Sequence, residues 1–228
     1  MVAITGSLAD RMGSAPRSWR GWQLWLWWVL ATTVGWSAGG AAGGTAGWGL
    51  SRDIAIVGYS AGAGVGGIAA GLLQWLVLRR QVARASRWVL ASTGAAAIIG
   101  VVGVAVGATL GFGVRWIDGG PETTQEATSG EWVFFVLLAL YGTVLGVLQW
   151  LVLRRHVARA GWWVLASTGA WPLSIGVGAM VLQTVIAVTG VKLPAVAATL
   201  IPALYGTITG TVLVWLLRRP APAAATEE

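Results

Sequence analysis

Six long apolar runs, each bounded by charged or polar residues, dominate the pattern of this chain. A helix needs about 20 consecutive apolar residues to cross the hydrocarbon core of a bilayer. The pattern therefore predicts an all-α integral membrane protein with six transmembrane helices. The runs cover about Trp22–Ala42, Ile54–Leu78, Trp88–Val114, Trp132–Leu153, Trp162–Thr189 and Leu193–Leu217.

A repeated sequence groups these helices into pairs. LLQWLVLRR at Leu72–Arg80 recurs as VLQWLVLRR at Val147–Arg155, and each copy precedes a near-copy of VARA-x-x-WVLASTGA. The first run carries the related WWVLATT at Trp27–Thr33, and the last helix keeps the double arginine but has Leu213 in place of the glutamine. We predict one polytopic domain over 1–228 made of three two-helix hairpin units. The units are about 20–80, 84–155 and 160–219, and short polar tails occupy 1–18 and 220–228.

The distribution of positive charge predicts the orientation. Twelve of the 15 Lys and Arg residues lie in the N-terminal tail, the loops after the second and fourth runs, and the C-terminal tail. Because cytoplasmic segments of membrane proteins are enriched in Lys and Arg, both termini are predicted to be cytoplasmic. We expect the first span to be retained rather than cleaved as a signal peptide, because its sequence belongs to the repeat.

Composition supports a membrane location and excludes several kinds of site. Charged residues make up 10% of the chain, whereas a soluble domain carries about 25%. The enrichment of Lys and Arg in the predicted cytoplasmic segments explains the net charge of +7, so no nucleic-acid partner is expected. The chain has no cysteine, which excludes disulfides, thiolate metal sites and cysteine nucleophiles.

The repeated motifs also resemble those of a known group of proteins. QWLVLRR at Gln74–Arg80 and Gln149–Arg155, with WVLAST at Trp88–Thr93 and Trp163–Thr168, is similar to uncharacterised bacterial multi-pass membrane proteins that carry Q-W-L-x-L-R hairpin repeats. The resemblance implies a protein of the bacterial inner membrane. It implies no activity and no catalytic residue.

Small and polar residues share one face of the second and fourth helices. At 100° per residue, Gly67, Gly71 and Gln74 point the same way, and Gly142, Gly146 and Gln149 repeat the arrangement. We predict that these faces pack against neighbouring helices, since glycine allows close approach of backbones in lipid. The depths in each hairpin predict that Gln74 bonds Ser92 or Thr93, and Gln149 bonds Ser167 or Thr168. Alternatively, the glycines line a pathway or admit a flat ligand, and the glutamines contact a ligand or interfacial water.

Arginine and tryptophan near the helix ends suit the membrane interface. Paired arginines reach lipid phosphates from helix ends, and tryptophan favours the same boundary. We expect Trp36 and Trp171, which lie deeper, to touch a cavity or a partner. The predicted phosphate-facing arginines are Arg79, Arg80, Arg154, Arg155, Arg218 and Arg219, and the predicted inner tryptophan belt is Trp75, Trp88, Trp150, Trp162 and Trp163.

Two further features bear on candidate sites. His156, the only histidine, follows a double arginine, so we expect it to face solvent or phosphate; a metal or macrocycle ligand is the alternative. Pro172, Pro194 and Pro202 interrupt the last two helices. Interior proline frees a carbonyl four residues earlier, which neighbours or water must satisfy. These prolines are the best pointer to a cavity in the sequence.

The functional prediction depends on the catalytic and ion-coupling groups that the sequence lacks. No Asp or Glu lies deep in a predicted span, although proton relays and cation-coupled pumps use such groups. The sequence also lacks a phosphate-binding loop for ATP hydrolysis and paired groups for intramembrane proteolysis. We expect a non-enzymatic scaffold or accessory subunit that packs against membrane proteins, copies of itself or lipids. A passive channel or transporter and a pigment- or quinone-holding subunit are the alternatives. No cofactor or metal is predicted, and a pigment or lipid ligand stays open.

Overall fold

The computed structural model describes residues 21–48, 52–82, 84–110, 124–191 and 194–218. Regular structure in these ranges consists of six helices, which confirms the predicted all-α fold. Arg219 and the predicted tails, 1–18 and 220–228, lie outside the described residues. The helices are α1 (Gly21–Trp48), α2 (Arg52–Leu78), α3 (Ser86–Leu110), α4 (Thr124–Leu153), α5 (Trp162–Thr189) and α6 (Pro194–Leu217).

Three helical segments are long and apolar enough to cross a membrane. Within the described residues these are Phe135–Leu153, Trp162–Thr189 and Ala198–Leu217. Two shorter apolar stretches, Gly64–Leu78 and Ser86–Val102, lie in α2 and α3. The structure therefore fits a helical membrane protein.

The helices pack in chain order and close into a ring. Each contacts the next along the chain, and α6 returns to contact α1. At this closing seam, Trp25 Nε1 donates to Thr211 Oγ1 at 3.2 Å. Deeper along the same seam, Ser37 Oγ donates to the carbonyl of Ala198 at 2.9 Å. The ring brings the first and last helices of the chain together.

The Ser37 contact also satisfies the backbone carbonyl that Pro202 leaves without a helical hydrogen bond. Proline has no N–H, so the carbonyl four residues earlier, that of Ala198, loses its helical partner. Ser37 Oγ donates to that carbonyl from α1. A side chain of the neighbouring helix therefore satisfies the freed group at Pro202.

Glycines of the even-numbered helices lie against the next odd-numbered helix around the ring. A Cβ added to Gly67 would lie 2.6 Å from the Ala96 Cβ, and one added to Gly71 would lie 2.8 Å from the Ser92 Cβ. These distances are shorter than real Cβ contacts, so the α2–α3 approach depends on glycine.

The other two seams of this kind are also close. In α4, a Cβ on Gly142 would collide with the carbonyl of Ser167, and one on Gly146 would lie 2.9 Å from the Ser167 Cβ. In α6, a Cβ on Gly206 would lie 3.1 Å from the Thr32 Cβ in α1. The structure thus places the predicted glycine faces at helix contacts inside the chain.

A fourth glycine contact was not predicted. Gly35 and Gly39 of α1 lie against Ala70 and Gly66 of α2, and a Cβ on either α1 glycine would collide with the α2 backbone. The α1–α2 pair is a close backbone contact over about one helical turn.

Candidate functional site

Three tryptophans meet in the middle of the ring. Trp28, Trp88 and Trp163 occupy the same repeat position in α1, α3 and α5, and none is more than 1% exposed. Their rings contact one another edge to face, with centroids 5.6, 5.7 and 5.5 Å apart. This tryptophan trio fills the centre at the end of the bundle that carries the short loops 79–85 and 154–161, hereafter the loop end.

The trio corrects the predicted position of two tryptophans. Trp88 and Trp163 were expected in an interfacial belt, and both are buried at the centre instead. Neighbouring helical residues point about 100° apart. Trp162 consequently faces outward, with 54% exposure, while Trp163 faces inward. Trp75 and Trp150 are partly buried and lie beneath the guanidinium groups of Arg79 and Arg154, at 5.7 and 5.1 Å respectively.

Two buried glutamines connect this trio to the surrounding helices. Gln74 Oε1 accepts from Trp88 Nε1, and Gln74 Nε2 donates to Thr32 Oγ1, both at 3.0 Å. Gln149 repeats the arrangement: it accepts from Trp163 Nε1 and donates to Ser92 Oγ, again at 3.0 Å. Each amide thereby links three consecutive helices. A buried amide in an apolar interior requires such partners.

The predicted hydroxyl partners of the glutamines are wrong. The following helix supplies an indole to each glutamine, and the preceding odd-numbered helix supplies the hydroxyl. The reason is register. Gly71 lies opposite Ser92, so in this antiparallel pair Gln74, three residues further on, lies opposite Trp88, one turn earlier in α3. Thr168, one of the expected partners, bonds Thr143 Oγ1 at 2.9 Å instead.

The third repeat position departs from this arrangement. Leu213 occupies the glutamine position and is fully buried. Trp28 Nε1 donates instead to Thr209 Oγ1, one turn earlier in α6, at 3.1 Å. Ser167, the counterpart of Thr32 and Ser92, is fully buried and its hydroxyl has no hydrogen-bond partner. The leucine therefore leaves one hydroxyl of the arrangement unsatisfied.

A second aromatic layer lies further from the loop end. Trp171 stacks on Tyr205 with centroids 4.6 Å apart and meets Trp36 and Tyr141 edge to face at 4.9 and 5.2 Å. Trp36 and Trp171 were expected to touch a cavity or a partner; the structure places them against each other, and Trp36 also lines a small cavity. The Trp171 indole nitrogen is buried without a partner, as is the Ser174 hydroxyl one turn further along α5.

A small cavity lies between these two aromatic layers. Its volume is about 10 Å³, and Gln74, Gln149, Ser92 and Tyr205 are in its lining. One water needs at least about 10–15 Å³ of such volume. This cavity therefore has room for about one water molecule and for no larger ligand.

Two larger openings lie at the surface. A groove of about 670 Å³ between α1 and α2 is lined by apolar side chains including Trp27, with Arg79 and Arg80. A pocket of about 290 Å³ at the loop end is lined by Arg84, Arg87, Leu151, Val152, Arg155 and His156. Of the other predicted phosphate-facing arginines, Arg154 lies over Trp150, and Arg218, the residue after α6, lies beside Gly21 of α1.

The described side chains hold no group of three or more His, Cys, Asp or Glu residues that could bind a metal ion. Comparison with known proteins adds no assignment, because no family model, no curated protein and no solved structure matches this chain. The resemblance to hairpin-repeat membrane proteins stays a prediction. The interior side chains contact and hydrogen-bond one another, and the loop-end surface presents positive charge beside apolar side chains.

Proposed function

We propose that the protein is a non-enzymatic membrane scaffold or accessory subunit that packs against membrane proteins or lipids. Its six helices cross the membrane as three hairpin units, with both termini in the cytoplasm of a bacterial cell. The observation that carries the proposal is the filled centre of the ring, where Trp28, Trp88 and Trp163 contact one another. A bundle closed in this way presents its outer faces, rather than an internal site, for interaction.

The repeat supports the three-hairpin arrangement. Each even-numbered helix sets a glycine against the serine or threonine of the WVLA-[ST] segment in the next odd-numbered helix: Gly71 on Ser92, Gly146 on Ser167 and Gly206 on Thr32. Equivalent contacts at three seams fit one chain folded as a ring of three similar units. The Lys and Arg distribution adds the orientation. A cytoplasm-dependent reporter fused to Glu228 should be active, and an inactive fusion on inserted, full-length protein would reject this topology.

The same geometry argues against a channel. A solute path along the ring would have to pass the tryptophan trio, whose members are at most 1% exposed. Beyond it lie a cavity of about 10 Å³ and the second aromatic layer around Trp171 and Tyr205. Edge-to-face aromatic contacts and buried hydrogen bonds hold this interior together.

The groove between α1 and α2 bears on the pigment- or quinone-holding alternative. Its lining residues come from Gln23–Val34 and Leu73–Arg80 and include one tryptophan, Trp27, but no glycine to admit a flat ring system. A lipid acyl chain fits apolar lining of this kind. The groove therefore favours lipid contact over a bound chromophore.

Stability and solute flux, measured on the same variants, test the proposal. Gly71→Ile and Gly146→Ile should hold helices apart and lower thermal stability in detergent, because a Cβ at Gly146 already falls 2.9 Å from the Ser167 Cβ. The matched control is Gly169→Ile, since no atom lies within 4 Å of a Cβ there. Wild-type liposomes should pass no small solute. Wild-type flux that changes in a glycine variant of unchanged stability would favour the channel.

Interaction partners are tested by purification in mild detergent followed by mass spectrometry. A scaffold should bring specific membrane proteins or lipids with it, in fixed ratio to the chain. A stoichiometric chromophore or quinone in the same sample would support the pigment- or quinone-holding alternative instead.

A further inference from the structure

The loop-end pocket collects positive charge from two different hairpin units. Arg84 and Arg87 come from the α2–α3 loop and the start of α3, and Arg155 and His156 follow the end of α4. The three arginines are exposed, and neither loop contains Asp or Glu. Like charges held together repel, so the arrangement favours an anion that lies among them.

Two of the four basic residues depart from the repeat. The counterpart of Arg87 in the next hairpin is Trp162, and the counterpart of His156 in the previous one is Gln81. The repeat alone supplies an arginine at the positions of Arg84 and Arg155. The two additional basic residues occur in different hairpins, yet both line the same pocket. The repeated hairpin architecture does not account for this convergence.

The pocket also borders the apolar surface of the bundle. Leu151 lines it and is 41% exposed, and Val152 lies beside it in the wall. The carbonyl of Val152 is 3.2 Å from His156 Nδ1. If that nitrogen donates the bond, His156 Nε2 becomes the imidazole atom available to a ligand. A ligand here meets positive charge and membrane-facing apolar side chains together.

We infer that this pocket binds the headgroup of an anionic phospholipid, with preference for a headgroup that carries two phosphates. Arginine forms bidentate bonds with phosphate oxygens, and basic pockets at the cytoplasmic side of membrane helices suit such headgroups. The acyl chains would run past Leu151 along α4. The inference rests on the proposed membrane location and names a lipid partner for the proposed scaffold.

The test measures thermal stabilisation of the purified full-length protein in neutral detergent during titration with lipid. The lipids are diphosphatidylglycerol, phosphatidylglycerol and phosphatidylcholine, and pyrophosphate serves as a soluble anion. The site variant is Arg87→Gln. The control variant, Arg159→Gln, removes the same charge from a loop-end arginine outside the pocket lining.

We expect diphosphatidylglycerol to stabilise the wild type most, phosphatidylglycerol less and phosphatidylcholine not at all. One arginine at an anionic surface corresponds to a loss of roughly 5-fold in affinity, which we expect for the site variant but not for the control. His156→Gln, which restores the residue of the preceding hairpin, should weaken binding by a smaller factor. This single substitution carries the test if the site variant does not fold.

Three results would overturn the inference. They are equal loss of affinity in the control and site variants, equal stabilisation by the three lipids, and stabilisation by pyrophosphate that matches the lipid. The last result would assign the pocket to a soluble anion. Liposome flux remains the separate measure of the scaffold proposal, so failure of one proposal is distinguishable from failure of the other.

Discussion

Replacing Gln149 by leucine removes two buried hydrogen bonds from the centre of the ring. The Trp163 indole loses its bond to Gln149 Oε1, and the Ser92 hydroxyl loses its bond from Gln149 Nε2; each bond is 3.0 Å long. The shape of leucine is compatible with the fold, because Leu213 already occupies the equivalent position of α6 fully buried. The experiment therefore removes polar contacts with little change in packing.

The magnitude follows from the two bonds. Side-chain hydrogen bonds between membrane helices average about 0.6 kcal/mol each, which gives roughly 1.2 kcal/mol for the pair. The Trp163 indole donor and the Ser92 hydroxyl acceptor, both buried and left without these partners, raise the cost, since each unsatisfied group costs about 1–3 kcal/mol. We expect Gln149→Leu to lower the free energy of unfolding by about 1–3 kcal/mol.

Double-mutant cycles identify the partner. Equilibrium unfolding in mixed micelles is measured for Gln149→Leu combined with Ser92→Ala, and separately combined with Ser167→Ala. The first cycle should show a coupling of about 0.6 kcal/mol, and the second should be additive, because only contacting residues couple. Coupling to Ser167 with additivity at Ser92 would refute the hydrogen-bond arrangement described above and restore the pairing expected from sequence.

Other substitutions test the remaining features. Ser167→Ala should leave stability unchanged or raise it by up to about 1 kcal/mol in chemical unfolding, because the hydroxyl is buried without a partner; a loss above that size would reveal a hidden bond. Gly142→Ala should cost about 1–3 kcal/mol, since its Cβ would collide with the Ser167 carbonyl. Gly169→Ala, with open space around the Cβ, should be neutral or slightly stabilising in the same assay, and equal effects would contradict the close contact. Arg159→Gly should raise thermal stability by about 0.5–1 kcal/mol, because Arg159 holds a φ of 61°; a lower melting temperature would show that the arginine side chain matters more than its backbone conformation.

The sequence allowed prediction of the helices and much of their contact chemistry. Apolar runs and charged boundaries are local properties, so all six helices of the described chain overlap the predicted runs. Helical periodicity placed Gly67 and Gly71 on one face, and that face lies against α3. The repeat also indicates which tryptophans meet at the centre. If three hairpins close into a ring, residues at equivalent inward positions must meet, as Trp28, Trp88 and Trp163 do.

The sequence by itself determined the all-α class with its long apolar helices, the glycine faces and the basic loops, because length, hydropathy and spacing act within one segment. Only the tertiary structure decided which helices share each glutamine and which side of Trp162–Trp163 faces inward. It also brought Arg87 and His156 into one pocket, although they belong to different repeat units. These outcomes depend on the order and register in which separate helices pack, and spacing within one helix carries no information about its register against another.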